Sequence, residues 1–295
     1  MAVHAHPDDE CFSGGMYGKY ADEGVRTVLV TCTLGEEGEI VDPTMDADAI
    51  RPRLGAVRTE ELKCSVAALG IEQLHMLGYR DSGMAGTPAN ANPLAFTNVD
   101  FEEAVARLVA LVRAERPQVI VTYDEQGGYG HPDHIMAHRI AVAAFDGAGN
   151  AVRFPVAAGS PGPWQPSKLY YIAWPVEQLF ALRKEVVARG LPDPMESWGP
   201  LEAPEGSADA EAAQAPGRSF LQPQYEITTT LDVGPYYERK VASFRCHRTQ
   251  FNEKNLAFAL PEDLSRRAFS QETFVLARSR VAPRLPETDL FAGLR

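Results

Sequence analysis

QVIVTYDEQGGYGHPDH, residues 118–134, joins two kinds of segment in one run. Residues 118–123 are β-branched and apolar, as a strand buried on both faces should be. A glycine-rich loop follows. HPDHIMAHRIAVAAF at 131–145 then has the apolar spacing of a helix. Immediately upstream, DFEEAVARLVALVRAERP at 100–117 predicts another helix. Asp100 is its N-cap, acids fill its first turn, Arg113 and Arg116 its last, and Pro117 stops it.

The alternation extends back to the N-terminus. MAVH predicts a first strand, either short or extended by residues upstream of this sequence. VRTVLVT at 25–31 predicts a second strand, residues 52–69 a helix ending at Gly70, and QLHML at 73–77 a third strand. Strand and helix in turn mean βαβ units. The expected fold is therefore α/β: a Rossmann-like, mostly parallel sheet with helices on both faces and strand order 3-2-1-4-5. Beyond it, 149–166 read as a loop, 168–174 as a strand, 202–218 as a surface insertion, 225–233 as a strand and 236–247 as a helix. One domain is expected over 1–295, with 1–147 as its core and 148–295 completing the pocket.

Composition narrows the function. The 295 residues are 45% hydrophobic and 23% charged, ordinary for a globular protein, with a formal net charge of -12. That charge argues against nucleic acid as a partner. No signal peptide opens the chain and no apolar run has the length of a membrane helix, so a cytoplasmic protein without a membrane partner is expected. The four cysteines, Cys11, Cys32, Cys64 and Cys246, form no CxxC pair and predict reduced thiols rather than a disulfide framework. FSGGMYGKY at 12–20 fits neither G-x-G-x-x-G nor the phosphate-loop spacing, which disfavours a nucleotide cofactor.

Two stretches share a pattern, HPDDE at 6–10 and HPDH at 131–134, each after a predicted strand. In open parallel sheets ligands bind beyond the carboxyl ends of the strands, where the winding reverses. The order 3-2-1-4-5 brings the first and fourth strands together there, so the two motifs face each other. Three ligands from His and carboxylate with one open position are what a hydrolytic zinc ion needs. His6, Asp9 and His134 supply two nitrogens and one oxygen. Asp8 is then left beside the metal as a base. His131 is placed to stabilise an oxyanion or protonate a leaving amine, with Asp133 orienting His131. His4 with His6 also makes an HxH pair, as in metal hydrolases built on eight-stranded barrels. The chain lacks the further ligands such barrels need, so His4 reads as a packing or supporting residue. Cys11 and His138 read the same way, while Lys240, His247 and Gln250 are candidates to close the pocket from the C-terminal half.

VHAHPDDE at 3–10 with GGYGHPDH at 127–134 resembles the LmbE-like, or PIG-L, superfamily of zinc-dependent N-acetylglucosaminyl deacetylases. TCTLGEEGEI at 31–40, RDSGMAGT at 80–87, KLYY at 168–171 and ETDLFAGL at 287–294 carry the likeness over most of the chain. The resemblance implies an amide hydrolase with one Zn2+ per chain, Fe2+ being the alternative metal. Its ligands would be His6, Asp9 and His134, its base Asp8 and its catalytic histidine His131. It adds Tyr129 as a mobile tyrosine at the carbonyl oxygen, and Arg58 and Asp81 as residues that hold sugar or inositol hydroxyls. Ser13 falls at a substrate-side position that differs between branches. The implied substrate is a small N-acetylglucosamine conjugate, such as the inositol conjugate of mycothiol synthesis. Amide cleavage of mycothiol S-conjugates is the alternative within the class, and a non-catalytic sugar- or metal-binding protein the alternative outside it. A homo-oligomer is left open.

Overall fold

Strands that pair in parallel and carry helices on both faces must be apolar on both faces. In the computed structural model, which describes residues 1–193, 195–196 and 225–295, β1 (Ala2–His4), β2 (Val28–Thr33) and β4 (Val119–Thr122) are buried throughout. β3 (Gln73–Tyr79), at the edge, is mostly half-buried. β5 (Lys168–Ala173) extends the parallel set beside β4. β6 (Thr229–Asp232) and β7 (Gln271–Ser279) then add antiparallel strands, in the order β3-β2-β1-β4-β5-β7-β6. The expected 3-2-1-4-5 order is therefore present, and the C-terminal half extends the same sheet.

Side chains alternate across each strand, and the two faces build two cores. Val3, Val30, Ile120 and Leu169 face one of them. There they meet Val105 and Leu108 of α3 (Phe101–Glu115) and Ile140 of α4 (Pro132–Gly147). Ala2, Leu29, Val121 and Tyr170 face the other. There they meet Tyr17 of α1 (Gly14–Asp22) and Leu62 of α2 (Leu54–Leu69). The terminal signals act as the sequence predicts. Asp100 accepts the Glu103 N–H at 2.8 Å to start α3, and Gly70 ends α2 at φ 72°. α5 (Val176–Ala188), α6 (Tyr237–Cys246) and α7 (Glu262–Ala268) flank the C-terminal strands. No helix among the described residues is long and apolar enough to cross a membrane.

Three features differ from the sequence reading or extend it. The glycine-rich stretch after HPDDE is the helix α1, despite a propensity cost of about 1 kcal/mol for each glycine. A Cβ on Gly15 would lie 2.5 Å from Val233, so glycine here permits close packing that outweighs its cost. The Glu272 carboxylate, on β7, accepts the Gly15 and Met16 N–H groups and fills the start of that helix. Second, Cys64 and Cys246 form a disulfide, which overturns the expectation of reduced thiols throughout. The two lie 182 residues apart, and no spacing rule reveals that α2 packs along α6. Cys11 and Cys32 are free and buried. Third, the predicted insertion at 202–218 lies outside the described residues.

Candidate metal centre and active site

Ala2 of β1 pairs with Val121 of β4, so the loops leaving these strands emerge side by side. Each loop has a local reason for its shape. Pro132 opens α4 in the first helical position, and His131 caps it, its Nδ1 accepting the Asp133 N–H at 3.1 Å. That turns His134 inward on the first turn. Gly127, at φ 64°, passes so close that a Cβ would stand 2.6 Å from the Cβ of His134. In the other loop Asp8 adopts φ 122°, and the turn is held by hydrogen bonds. The His6 N–H donates to Asp9 Oδ2 at 2.7 Å and the Asp8 N–H to Glu10 Oε2 at 2.9 Å.

The ring nitrogens of His6 and His134, 128 residues apart in sequence, meet at 3.2 Å. Asp9 lies against both, with Oδ2 3.6 Å from His6 Nδ1 and Oδ1 3.4 Å from His134 Nε2. Second contacts set the tautomers. His134 Nδ1 faces the Gly127 carbonyl at 3.2 Å, so it carries the proton and leaves Nε2 a lone pair. His6 Nε2 faces Asp133 Oδ2 at 3.2 Å, so it carries the proton and leaves Nδ1 a lone pair. Asp9 Oδ2 is occupied by the His6 N–H and by the Tyr123 hydroxyl at 2.7 Å, which frees Oδ1. With both rings neutral, two nitrogen lone pairs and a carboxylate oxygen converge. Such a group repels itself unless a cation stands between its members. Without a metal, burial lowers the His6 pKa but Asp133, Asp81 and Asp9 outweigh it and raise it well above its usual value, so a proton on Nδ1 takes the place of the ion. Metal–ligand bonds of roughly 2.0–2.1 Å at a tetrahedral centre separate the ligand atoms by about 3.3 Å, close to the spacings found. The donor set thus fits a divalent metal ion.

His131 belongs to the same cluster, offering an atom within 4.8 Å of His6 and His134. With Nδ1 accepting, its neutral ring presents Nε2–H, a donor rather than a ligand. Burial, reinforced by His6 and His134, lowers its pKa to about 3 and keeps it neutral. Burial also lowers His134 to about 4. Asp9 behaves oppositely: burial pushes it up, but His134 and His6 outweigh that and hold it well below the usual carboxylate range. Asp8 is raised to about 7, chiefly by burial and despite the Arg58 guanidinium. Two adjacent carboxyls are thus driven apart, one permanently ionised and one able to take and return a proton near neutrality.

The remaining expected residues take varied positions. Tyr129 stands over His134, ring centres 4.9 Å apart, and its hydroxyl makes no hydrogen bond among the described residues. Arg58 donates to Asp8 Oδ2 at 2.9 Å, to the Pro7 carbonyl at 2.5 Å and to the Gly35 carbonyl at 2.8 Å. Arg58 is buried, and these bonds organise the 6–10 loop. Asp81 accepts the Gly83 N–H at 2.8 Å and lies 3.7 Å from His6 Nε2. The Asp133 carboxylate contacts His6 and the Ser82 hydroxyl, not His131, which it meets through its backbone N–H alone. Ser13 is buried with its hydroxyl unpaired among the described residues, and it does not line the cavity beside the cluster. Lys240 and His247 do not close that cavity. Lys240 pairs with Glu272 at 2.6 Å and His247 with Glu10 at 2.6 Å, both behind it. Gln250 does not line it either; its amide donates to the Glu39 carbonyl at 2.8 Å.

The family model described as GlcNAc-PI de-N-acetylase, PIG-L, matches residues 1–145. The 1D-myo-inositol 2-acetamido-2-deoxy-alpha-D-glucopyranoside deacetylase of Acidothermus cellulolyticus is 41% identical over 303 residues, covering 100% of this chain and 94% of the relative. The deacetylase of the same description from Thermobifida fusca is 42% identical over 302 residues, covering 99% and 98%. The chain belongs to the PIG-L family. The crystal structure of a conserved protein from Thermus thermophilus shares the fold, with a TM-score of 0.56 and 20% identity over 96% of this chain and 95% of that one.

Two features of this PIG-L protein escaped the sequence reading. Tyr123, at the end of β4, donates to Asp9, accepts the Ala5 N–H at 2.8 Å and stacks on His134 with ring centres 4.2 Å apart. Its place at a strand end in front of the second motif was the one available signal. The other feature is an apolar cavity of about 380 Å³ opening beside Asp9, His134 and Tyr129. Phe12, Trp174, Phe244 and Phe269 line it, from segments far apart in sequence.

Proposed function

We propose that the protein is a zinc-dependent deacetylase that hydrolyses the acetamide of 1D-myo-inositol 2-acetamido-2-deoxy-α-D-glucopyranoside, the compound named for its relatives. The observation that carries this reading is the close approach of the His6 and His134 ring nitrogens, 3.2 Å apart, beside Asp9, with a second carboxylate, Asp8, left over. His6, Asp9 and His134 would hold the ion. When bound, a zinc ion there supplies Lewis-acid polarisation of the amide carbonyl and makes water more acidic.

The residues of the chain divide the remaining work. Asp8 accepts a proton from the attacking water, a task suited to a carboxyl that titrates near neutrality. The water oxygen bonds to the carbonyl carbon. Neutral His131 donates its Nε2–H to the carbonyl oxygen as negative charge develops there, and the Tyr129 hydroxyl adds a second donor. The C–N bond then breaks. Protonated Asp8 returns its proton to the leaving nitrogen, so acetic acid and a free amine result, and the acid's proton passes to the amine to give acetate and an ammonium group. Since His131 is held neutral, Asp8 rather than His131 is the acid in this step. Arg58 and Asp81, close to Asp8 and His6, mark the side on which sugar and inositol hydroxyls bind.

The apolar cavity favours one second reading. An acetyl methyl group fills little of about 380 Å³, so an amide with a bulky apolar acyl part, as in a mycothiol S-conjugate, also fits beside the cluster. One assay separates the two: free amine released from each substrate by zinc-loaded protein, with a metal-stripped control. The deacetylase reading expects zinc-dependent release with the higher kcat/KM on the acetylated sugar conjugate. A higher value on the S-conjugate would reverse the assignment. Release from neither would remove both.

A further inference from the structure

Behind the metal cluster the carboxylate of Glu10 is gripped from two sides. The Ser65 hydroxyl donates to Glu10 Oε1 at 2.5 Å and His247 Nε2 to the same oxygen at 2.6 Å. The other oxygen, Oε2, accepts the Asp8 N–H at 2.9 Å. That last bond matters because Asp8 sits at φ 122°, a backbone region costing of order 1–3 kcal/mol for a residue other than glycine. A conformation of that kind persists only where its surroundings hold it. Glu10 restrains the Asp8 backbone, and Arg58 restrains its carboxylate.

The two jaws on Glu10 come from different helices. Ser65 lies on α2, and His247 follows the last residue of α6. The residues immediately before them, Cys64 and Cys246, are the disulfide partners. A covalent bond therefore sits one residue from each jaw. Arg58 and Glu61 share the α2 face with Ser65 at helical spacing. Glu61 reaches the same C-terminal segment, accepting the Thr249 N–H at 2.8 Å and its hydroxyl at 2.6 Å. Cys64 is exposed and Cys246 half-buried, so dissolved thiols can reach the bond, whereas Cys11 and Cys32 are buried.

We propose that the Cys64–Cys246 disulfide is a thiol-responsive control on turnover, acting through Glu10 as the positioning residue for Asp8. This rests on the reading of Asp8 as the base of an amide hydrolase. The exchange balances with two equivalents of a small monothiol. The first thiolate attacks one sulfur, forming a mixed disulfide and releasing one protein thiolate. The second displaces the protein from the mixed disulfide. The net products are one small-molecule disulfide and two protein thiols, which carry the protons of the two monothiols. With the bond open, Ser65 and His247 are held to each other by helix packing and the Glu61–Thr249 bonds alone, Glu10 loosens, and the acceptor of the Asp8 N–H becomes less rigid. Misplacing a catalytic group by 1 Å can cost ~100-fold, so this partial release is expected to cost about tenfold in kcat. KM should change less than kcat, because Asp81 lies on another segment and Arg58 keeps its own bonds to the Pro7 and Gly35 carbonyls.

The test uses zinc-loaded full-length protein. Amine release is followed before treatment with a monothiol, after it, and after reoxidation, with bound zinc and free thiols measured each time. Wild type should lose about tenfold in kcat at constant zinc content and regain it on reoxidation. C64S/C246S should start near the reduced value and ignore the thiol. Ser65→Ala keeps the disulfide but removes one jaw. It should lower kcat without raising KM, and it carries the test if the reduced protein unfolds. Hydrogen exchange of the Asp8 amide reads the grip without any substrate and should accelerate on reduction. Unchanged kcat and unchanged exchange after complete reduction would overturn the proposal, as would a thiol response in C64S/C246S equal to that of wild type. If no amine is released in either redox state, the deacetylase reading fails, and exchange still decides whether the disulfide controls the Asp8 turn.

Discussion

Replacing Tyr123 by Phe removes one oxygen atom and leaves the ring stacked on His134. That oxygen has two partners, both buried: it donates to Asp9 Oδ2 at 2.7 Å and accepts the Ala5 N–H at 2.8 Å. A hydrogen bond to a charged group contributes about 1.5–3 kcal/mol, and a buried N–H left without a partner costs about 1–3 kcal/mol. In metal-free protein the variant should therefore lose about 3–4 kcal/mol of unfolding free energy, measured in guanidinium chloride. The same oxygen steadies the carboxylate assigned as a metal ligand. Losing such a support typically weakens metal binding about 10–100-fold, or about 1.4–2.7 kcal/mol. Competition with a chromophoric chelator measures that term directly. Both losses are expected, and the metal-bound variant should fall further below its parent than the metal-free one does. If stability drops while zinc affinity stays at the wild-type value, Tyr123 serves the fold alone and Asp9 is not the ligand it supports.

Asp8→Ala should reduce turnover by about 10²–10⁴-fold while zinc content stays at one per chain, and loss of zinc would mean that base and ligand have been exchanged. Exhaustive chelation should abolish amine release and zinc should restore it; activity surviving in demonstrably metal-free protein would sink the metal mechanism. Glu287 pairs with the fully buried Lys168 at 2.7 Å and accepts the Tyr170 hydroxyl at 2.5 Å, fastening the C-terminal segment to β5. Glu287→Ala leaves that lysine without a counter-charge and should cost about 3–5 kcal/mol in urea unfolding; a loss under about 1 kcal/mol would contradict a buried ion pair. Opening the Cys64–Cys246 bond, which closes a loop of 182 residues in sequence, should lower the unfolding free energy by up to about 5 kcal/mol on the chain-entropy account. An unshifted denaturation midpoint after reduction would show that the unfolded chain gains nothing from release.

Some elements were readable because their causes are local. The predicted strand at 118–123 became Val119–Thr122, and the predicted helix at 100–117 became Phe101–Glu115 with its expected cap. α1 was not readable as a helix, since Gly14, Gly15 and Gly18 oppose one locally and the compensating contacts come from Val233 and Tyr236, far along the chain. β7 and α5 were missed although the partners of β7, β5 and β6, were read as strands; what completes them is pairing and packing between distant segments, with α5 burying Leu182 and Val186 against Leu260 and Leu264.

The candidate site divides in the same way. Short-range turn chemistry and strand order determined from sequence that two His- and Asp-rich loops would meet at one end of the sheet. Which atoms face each other was decided by the tertiary structure. The Asp133 carboxylate turns to His6, Arg58 is spent on the metal loop, His247 grips Glu10, and Cys64 finds Cys246. Periodicity encodes the face on which a side chain lies, because it repeats every few residues. It carries no record of rotamers or of contacts between segments far apart in the chain. Tautomers, proton affinities and the disulfide all depend on those contacts, and so exist as properties of the folded chain alone.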